Sequence, residues 1–321
     1  MPAQTKFELK LGLATREAFG KALVEVGREN PQVVVLDADL SKSTFTAGFA
    51  KEFPERFFEC GIAEANMVAI GAGLATAGKI PFVSSFAAFV MNKGFEQLRV
   101  TVAFPHTNVK VVGTHAGISI GEDGPSQMSI EDLALACALP GFIVLSPADE
   151  VAMQALVRAA VQHVGPVFIR AGRAKAPVVY PAGQNFVIGR AIELLEGRDV
   201  TIIATGLLVA EAIRAAENLE ALGISARVLD MHTIKPLDED AIRRASLETG
   251  AIVVCEEHLA EGGLGSRVAQ VAARLAPCPI EFVGLPDTYA ESGPPEALLN
   301  KYGLTSPHVE AAVRRVLQRK R

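Results

Sequence analysis

The chain has 321 residues, half of them hydrophobic, and carries a formal net charge of -5 with an isoelectric point near 5.8. That length and apolar content can fill two cores, so two domains are expected, and the acidic balance leaves no basic footprint for nucleic acid or an anionic membrane surface. Lys79 interrupts the longest apolar stretch short of the roughly 18 residues a membrane helix needs, and the opening MPAQTKFELKLG lacks the apolar centre of a secretory leader, so a cytoplasmic location is expected.

Short β-branched runs alternate with helical stretches along the first half: VVVLDAD, ANMVAIGAGLATAG, PFVSSF, FEQLRVTVAF, VKVVGT, IEDLALACAL, FIVLSP, EVAMQALVRAAVQHV and GPVFIR. Strands that are apolar throughout predict a parallel sheet covered on both faces. The stretch AKAPVVYPAGQNFVIG, rich in Pro and Gly, has no helical period, and alternation restarts after it with DVTIIATG, ARVLDM, AIVVCEE and IEFVGL. The expected fold class is therefore α/β, with a doubly wound domain over residues 1–185 and a smaller α/β domain over residues 186–321. Cys60, Cys137, Cys255 and Cys278 stand far apart without metal-binding spacing and are expected to be reduced, buried fillers. The basic tail RRVLQRKR is read as a solvated helix end.

Ligands in open α/β sheets sit at the carboxyl ends of the strands. The residues there are Asp37 and Asp39, Ser85 and Phe86, His115, and Arg170 and Arg173, all polar or aromatic. The loop GISIGEDGPSQ, residues 117–127, has three glycines and a proline around Glu122 and Asp123, as an ordered loop that aims its side chains does. GGLGSR, residues 262–267, lacks a full dinucleotide-binding pattern and is read as a close-packed strand-to-helix turn. Glu64 raises a separate question, because it is the one carboxylate in CGIAEANMVAIGAGLATAG, residues 60–78, a segment of small apolar residues built for burial. Such a group either serves chemistry or pairs with a buried donor or caps the helix that begins at Ala65 and Asn66.

The segments ECGIAEANMVAIGAGLATAG, SSFAAF and THAGISIGEDGP together resemble the pyrimidine-binding domain of the transketolase family, and HTIKPLDEDAI with EEHLAEGGLGS resembles that family's C-terminal domain. The resemblance runs from about residue 10 to residue 315. It implies a thiamine diphosphate enzyme moving two-carbon ketol units between ketose and aldose phosphates. Glu64 matches the carboxylate held against the aminopyrimidine ring nitrogen, whose imino tautomer generates the reactive thiazolium carbanion. Phe89 matches the aromatic that stacks on the pyrimidine, Phe86 its neighbour, and Asp39 a residue near the thiazolium. His115 and Asp123 match polar groups facing the donor sugar, with His115 also catalytic. Arg16, Ser43 and Arg173 match the grip on a substrate phosphate, which suits the guanidinium fork. Two positions depart from the family pattern: Gln127 stands where a histidine is usual, and Ala116 where an aspartate is.

The family holds the diphosphate and its divalent ion, Mg2+ or another, with a G-D-G motif followed by Asn on a preceding domain. The nearest triplet here is Glu122 to Gly124. The resemblance therefore implies the C-terminal subunit of a split transketolase, binding no metal itself and sharing its cofactor with an N-terminal, diphosphate-binding subunit in an α2β2 assembly. Two other readings stand beside it: the beta subunit of a 2-oxoacid dehydrogenase or decarboxylase, against which GEDGP counts, and a non-catalytic assembly subunit, against which Glu64 counts.

Overall fold

The computed structural model describes residues 7–320, so the first six residues of the opening segment and Arg321 of the basic tail lie outside the described residues. In chain order the strands are β1 (Leu11–Ala14), β2 (Val33–Asp37), β3 (Phe57–Glu59), β4 (Ile80–Phe86), β5 (Lys110–Thr114), β6 (Ile143–Leu145), β7 (Val167–Arg170) and β8 (Lys175–Pro177). The second half adds β9 (Ile192–Leu195), β10 (Val200–Ala204), β11 (Ala226–Asp230), β12 (Thr233–Lys235), β13 (Ile252–Leu259) and β14 (Ile280–Leu285).

The mainly apolar runs form parallel strands buried on both faces: every residue of β2, β5, β7 and β10 is buried. The first sheet has the order β12-β6-β7-β5-β4-β2-β3, and all its neighbours are parallel except the edge pair of β12 with β6. The second has the order β14-β13-β10-β11-β9, parallel except for β9. A short antiparallel pair, β1 with β8, stands apart from both. The expected α/β class holds, with one feature that the alternation did not announce. Residues Thr233–Lys235, from the second half of the sequence, complete the edge of the first sheet.

Helices cover both sheets. The helix Glu150–Gln162 starts at a true cap, where the Asp149 carboxylate accepts from Ala152 N at 2.8 Å and also from Val179 N and Tyr180 N at 2.7 and 3.0 Å. The helix Glu64–Thr76 lies close to the sheet because Gly71 has no side chain; a Cβ there would sit 2.6 Å from Val83. Its burial is one-sided, which corrects the expectation of a fully buried segment: Met67, Val68, Gly71 and Ala72 face the core, while Asn66, Ile70 and Gly73 form an exposed stripe beside Ile62. All four cysteines are free, but only Cys255 is buried; Cys60, Cys137 and Cys278 are half-buried. The basic tail ends the helix Ser306–Arg319, where Arg315 pairs with Glu281 at 3.2 Å and Arg319 with the same carboxylate. GGLGSR is a closed turn: Glu256 accepts from Leu264 N and Gly265 N at 2.8 and 2.7 Å, filling the helix N-terminus where a phosphate would otherwise sit. Among the described residues no helix is long and apolar enough to cross a membrane.

Candidate active site

Strands β2, β4, β5 and β7 run parallel, so their carboxyl ends deliver Asp39, Phe86, His115 and Arg173 to one edge of the sheet. His115 immediately follows β5 with a left-handed φ of 57°, which turns its ring back over the edge. The imidazole is almost fully buried and stacks on Phe86 at 3.8 Å between centroids, and Phe86 stacks in turn on Phe89 at 5.5 Å. Lys93 Nζ lies 4.7 Å from the centre of the Phe89 ring and 3.3 Å from Glu64 Oε2. A continuous row therefore runs from His115 through both phenylalanines and Lys93 to Glu64. The Glu64 carboxylate is itself 3% exposed, at the first turn of its helix.

The helix of Glu64 begins with no side-chain cap bond, and the partner of the carboxylate is the half-exposed ammonium of Lys93 rather than a buried donor. The acid is a buried group whose ion-pair partner reaches solvent.

At the other end of the row, Arg16 Nη1 donates to Ser43 O at 2.7 Å and lies 3.3 Å from His115 Nε2. Arg16 is always a donor, so Nε2 accepts; Nδ1 then carries the proton toward Thr114 Oγ1 at 2.9 Å, and Thr114 donates onward to Ser85 O at 3.3 Å. Burial, reinforced by the Arg16 and Arg173 charges, pushes His115 down to about 3, so the ring is neutral at physiological pH. Burial likewise lowers Arg16, with the Arg173 charge next in importance and Glu17 and Asp123 opposing. Arg173 donates to Ile120 O at 2.8 Å and approaches Glu122 at 3.4 Å. Two guanidinium groups of like charge beside one neutral imidazole make an anion site.

Two buried polar atoms at this edge have no partner, Arg16 Nε and Ser85 Oγ. An aromatic pair, a buried carboxylate at its end and unmatched donors fit a flat heteroaromatic cofactor with a ring nitrogen, next to a phosphorylated substrate. No group of three or more acidic, His or Cys residues that could hold a metal occurs among the described residues.

Not every expected residue joins the row. Asp39 is exposed, with a left-handed φ of 62°, and is oriented through its backbone, whose N–H donates to Glu59 Oε1 at 2.7 Å. Gln127 accepts from Ser126 Oγ at 3.0 Å, and its backbone N–H donates to Gly124 O at 3.1 Å. Asp37 and Arg170, placed at the same edge by sequence, are structural. Asp37 accepts from Thr44 and Thr46 hydroxyls at 2.7 and 2.8 Å, and Arg170 makes a buried fork to Asp132 at 2.7 and 3.2 Å. Lys93 was missed, although it follows Phe89 by four residues on one helix, a spacing that places the two side chains together.

The pyrimidine-binding domain of transketolase matches residues 12–178, and the transketolase C-terminal domain matches residues 189–309. One subunit of an apulose-4-phosphate transketolase from Phocaeicola vulgatus is 40% identical over 293 residues, covering 91% of this chain and 94% of that one. Human transketolase is 39% identical over 318 residues, but the match takes in 98% of this chain and 51% of the human one, so this chain spans about half that relative's length. A solved split-gene transketolase, an inactive beta4 tetramer, superposes with a TM-score of 0.91 at 51% identity over 97% of this chain and all of that one. The row from Glu64 to His115 thus lies in a known frame, and the chain belongs to the transketolase family, as a pyrimidine-binding domain followed by a transketolase C-terminal domain.

Proposed function

We propose that this chain, divided near residue 185, is the C-terminal subunit of a split, thiamine diphosphate-dependent transketolase that transfers two-carbon ketol units between sugar phosphates. The observation that carries this reading is the row itself: a buried carboxylate, two stacked aromatics and a neutral histidine flanked by two arginines. When bound, thiamine diphosphate supplies a nucleophilic carbon that the twenty side chains lack. Glu64 holds a proton at the ring nitrogen of the cofactor's aminopyrimidine, and Phe86 and Phe89 fix the plane of that ring. Asp39 lines the approach to the thiazolium end. Arg16, Arg173 and Ser43 bind the substrate phosphate, while His115 Nε2, freed from Arg16 when phosphate takes the guanidinium, accepts from a sugar hydroxyl. Asp123 and Gln127 orient the remaining hydroxyls, and Gln127 does so without titrating.

The diphosphate and its Mg2+ or other divalent ion are assigned to a partner chain in an α2β2 assembly. Two observations support that assignment: the end-to-end match to a split-gene chain that is inactive as a beta4 tetramer, and the exposed stripe of Ile62, Asn66, Ile70 and Gly73 next to Glu64. Isothermal titration of the lone chain with thiamine diphosphate and Mg2+ tests the reading. The expected result is no binding tighter than about 1 mM, roughly 4 kcal/mol of affinity, with binding and ketol transfer both appearing once the partner is added. A micromolar dissociation constant for the lone chain would overturn it.

A further inference from the structure

We infer that Glu257, within β13 in the second half of the chain, is a positioning residue for substrate: it sets the shape of the loop 117–127 by accepting the backbone N–H of Ser119. The inference rests on the transketolase reading of the site, since that loop carries Asp123 and Gln127 and its Ile120 carbonyl takes a hydrogen bond from Arg173. Glu257 bonds the loop backbone rather than a group that faces substrate. Its Oε1 lies 2.6 Å from Ser119 N, with the whole side chain buried.

The loop is built around this contact. Gly117 has a φ of 81°, and a Cβ at that position would lie 2.2 Å from the Glu257 carboxyl carbon, so glycine is needed both for the backbone angle and for the approach of the carboxylate. The base of the loop closes on itself through Gly117 N to Ser129 O at 2.8 Å. Arg170, forked to Asp132, then ties that base to β13 by donating to Ser129 O at 3.3 Å and to Glu257 O at 2.8 Å. Leu259 N donates to Ile130 O at 2.9 Å, and Ala134 N to His258 Nε2 at 3.3 Å. The tip meets the second half again: a Cβ on Gly121 would lie 2.9 Å from the Pro295 ring, and one on Gly124 2.4 Å from Ser292 Oγ. A loop with three left-handed glycines has little stiffness of its own, so its conformation is taken from these outside contacts. Among them only the Glu257 carboxylate satisfies a backbone donor inside the loop's helical turn, Ile118–Asp123, with a side chain from the second half. The second half therefore does more than complete the edge of the first sheet: it holds the substrate-facing loop in register.

Two substitutions separate reach from charge. Glu257→Gln keeps an acceptor at the same distance and loses the charge, whereas Glu257→Asp keeps the charge and withdraws the acceptor by one methylene. In the assembled enzyme, Glu257→Asp should raise KM for a ketose phosphate by about 10-fold, and Glu257→Gln by about 2-fold or less, the difference expected for one hydrogen bond. Hydrogen-deuterium exchange at the cofactor's thiazolium carbon should stay within about 2-fold in both, because the Glu64 end of the site is untouched. In the lone chain, amide exchange over residues 117–127 should quicken by about 10-fold in Glu257→Asp and stay near wild type in Glu257→Gln. Unchanged loop exchange in Glu257→Asp, or a KM equal to wild type, would overturn the inference. A wild-type assembly without ketol transfer would overturn the functional reading instead, and the amide exchange would still decide the role of Glu257 in the loop.

Discussion

Replacing His115 by asparagine converts the buried imidazole into a direct test of the site's electrostatics, and it needs no partner chain. The backbone there has a φ of 57°, which asparagine tolerates better than most residues, and the amide can both accept from Arg16 and donate to Thr114. His115 sits at about 3 in the folded chain against an ordinary value of 6.5, because burial and the two arginines disfavour the imidazolium. Its folded value is depressed, so the unfolded chain binds the extra proton between those limits, and the folded state loses stability as pH falls. Between pH 7 and pH 5 the two titration curves give a loss of about 2 kcal/mol, at roughly 1.4 kcal/mol per pH unit below 6.5. Urea unfolding of wild type and His115→Asn at both pH values, at one protein concentration, isolates this contribution, since His232 and every other titrating group cancel in the difference. The wild type should lose about 2 kcal/mol more than the variant on acidification. Equal losses would show that the imidazole is not held neutral by its surroundings, and the anion site inferred from Arg16 and Arg173 would lose its basis.

Glu64→Gln should leave assembly with the partner intact while slowing hydrogen-deuterium exchange at the thiazolium carbon by about 100-fold or more, read by quenched NMR, because an amide cannot exchange a proton with the ring nitrogen. Arg173→Ala should raise KM for a ketose phosphate by about 10- to 100-fold and leave an unphosphorylated ketose nearly unaffected, a comparison made by steady-state kinetics on the assembled enzyme. Asp230 is a third case, with the opposite sign from His115. Burial pushes its carboxyl up to about 7, against the help of a 2.6 Å hydrogen bond from Tyr180, so its stabilising neutral form is present at low pH and lost as pH rises through 7. Asp230→Asn should therefore gain on wild type between pH 5.5 and pH 8 by about 2 kcal/mol in chemical unfolding.

Much of the fold was legible because burial on both faces writes itself into consecutive apolar residues, as in VVVLD and VTIIA. The edge strand Thr233–Lys235 was not, since three residues paired antiparallel at a sheet margin leave no periodic signature. In the site, residues that follow strands were legible from position alone, but their roles were not. Arg170 ends β7 and Arg173 follows three residues later, and only burial against Asp132 distinguishes the structural one from the half-exposed one. The link from Glu257 to Ser119 spans 138 residues and had no local trace, since a buried acid in AIVVCEE reads as one more strand end. The apolar segment around Glu64 misled in one respect: small residues pack closely against Val83 on one side and leave the opposite side bare.

The strand Thr233–Lys235 also bears on how the chain is made. A ribosome releases the parallel part of the first sheet by residue 170, but the exposed margin of β6 stays without its neighbour until residue 235 has emerged. For those 65 or so residues of synthesis, a matter of several seconds at about 10 residues per second, an unpaired hydrogen-bonding edge faces the nascent chain's surroundings. Cutting the gene at the seam between the two halves would make that interval permanent. Expressed alone, the first half would present β6 as a template for pairing with its own copies, and a longer piece carried on through Pro236 would close it.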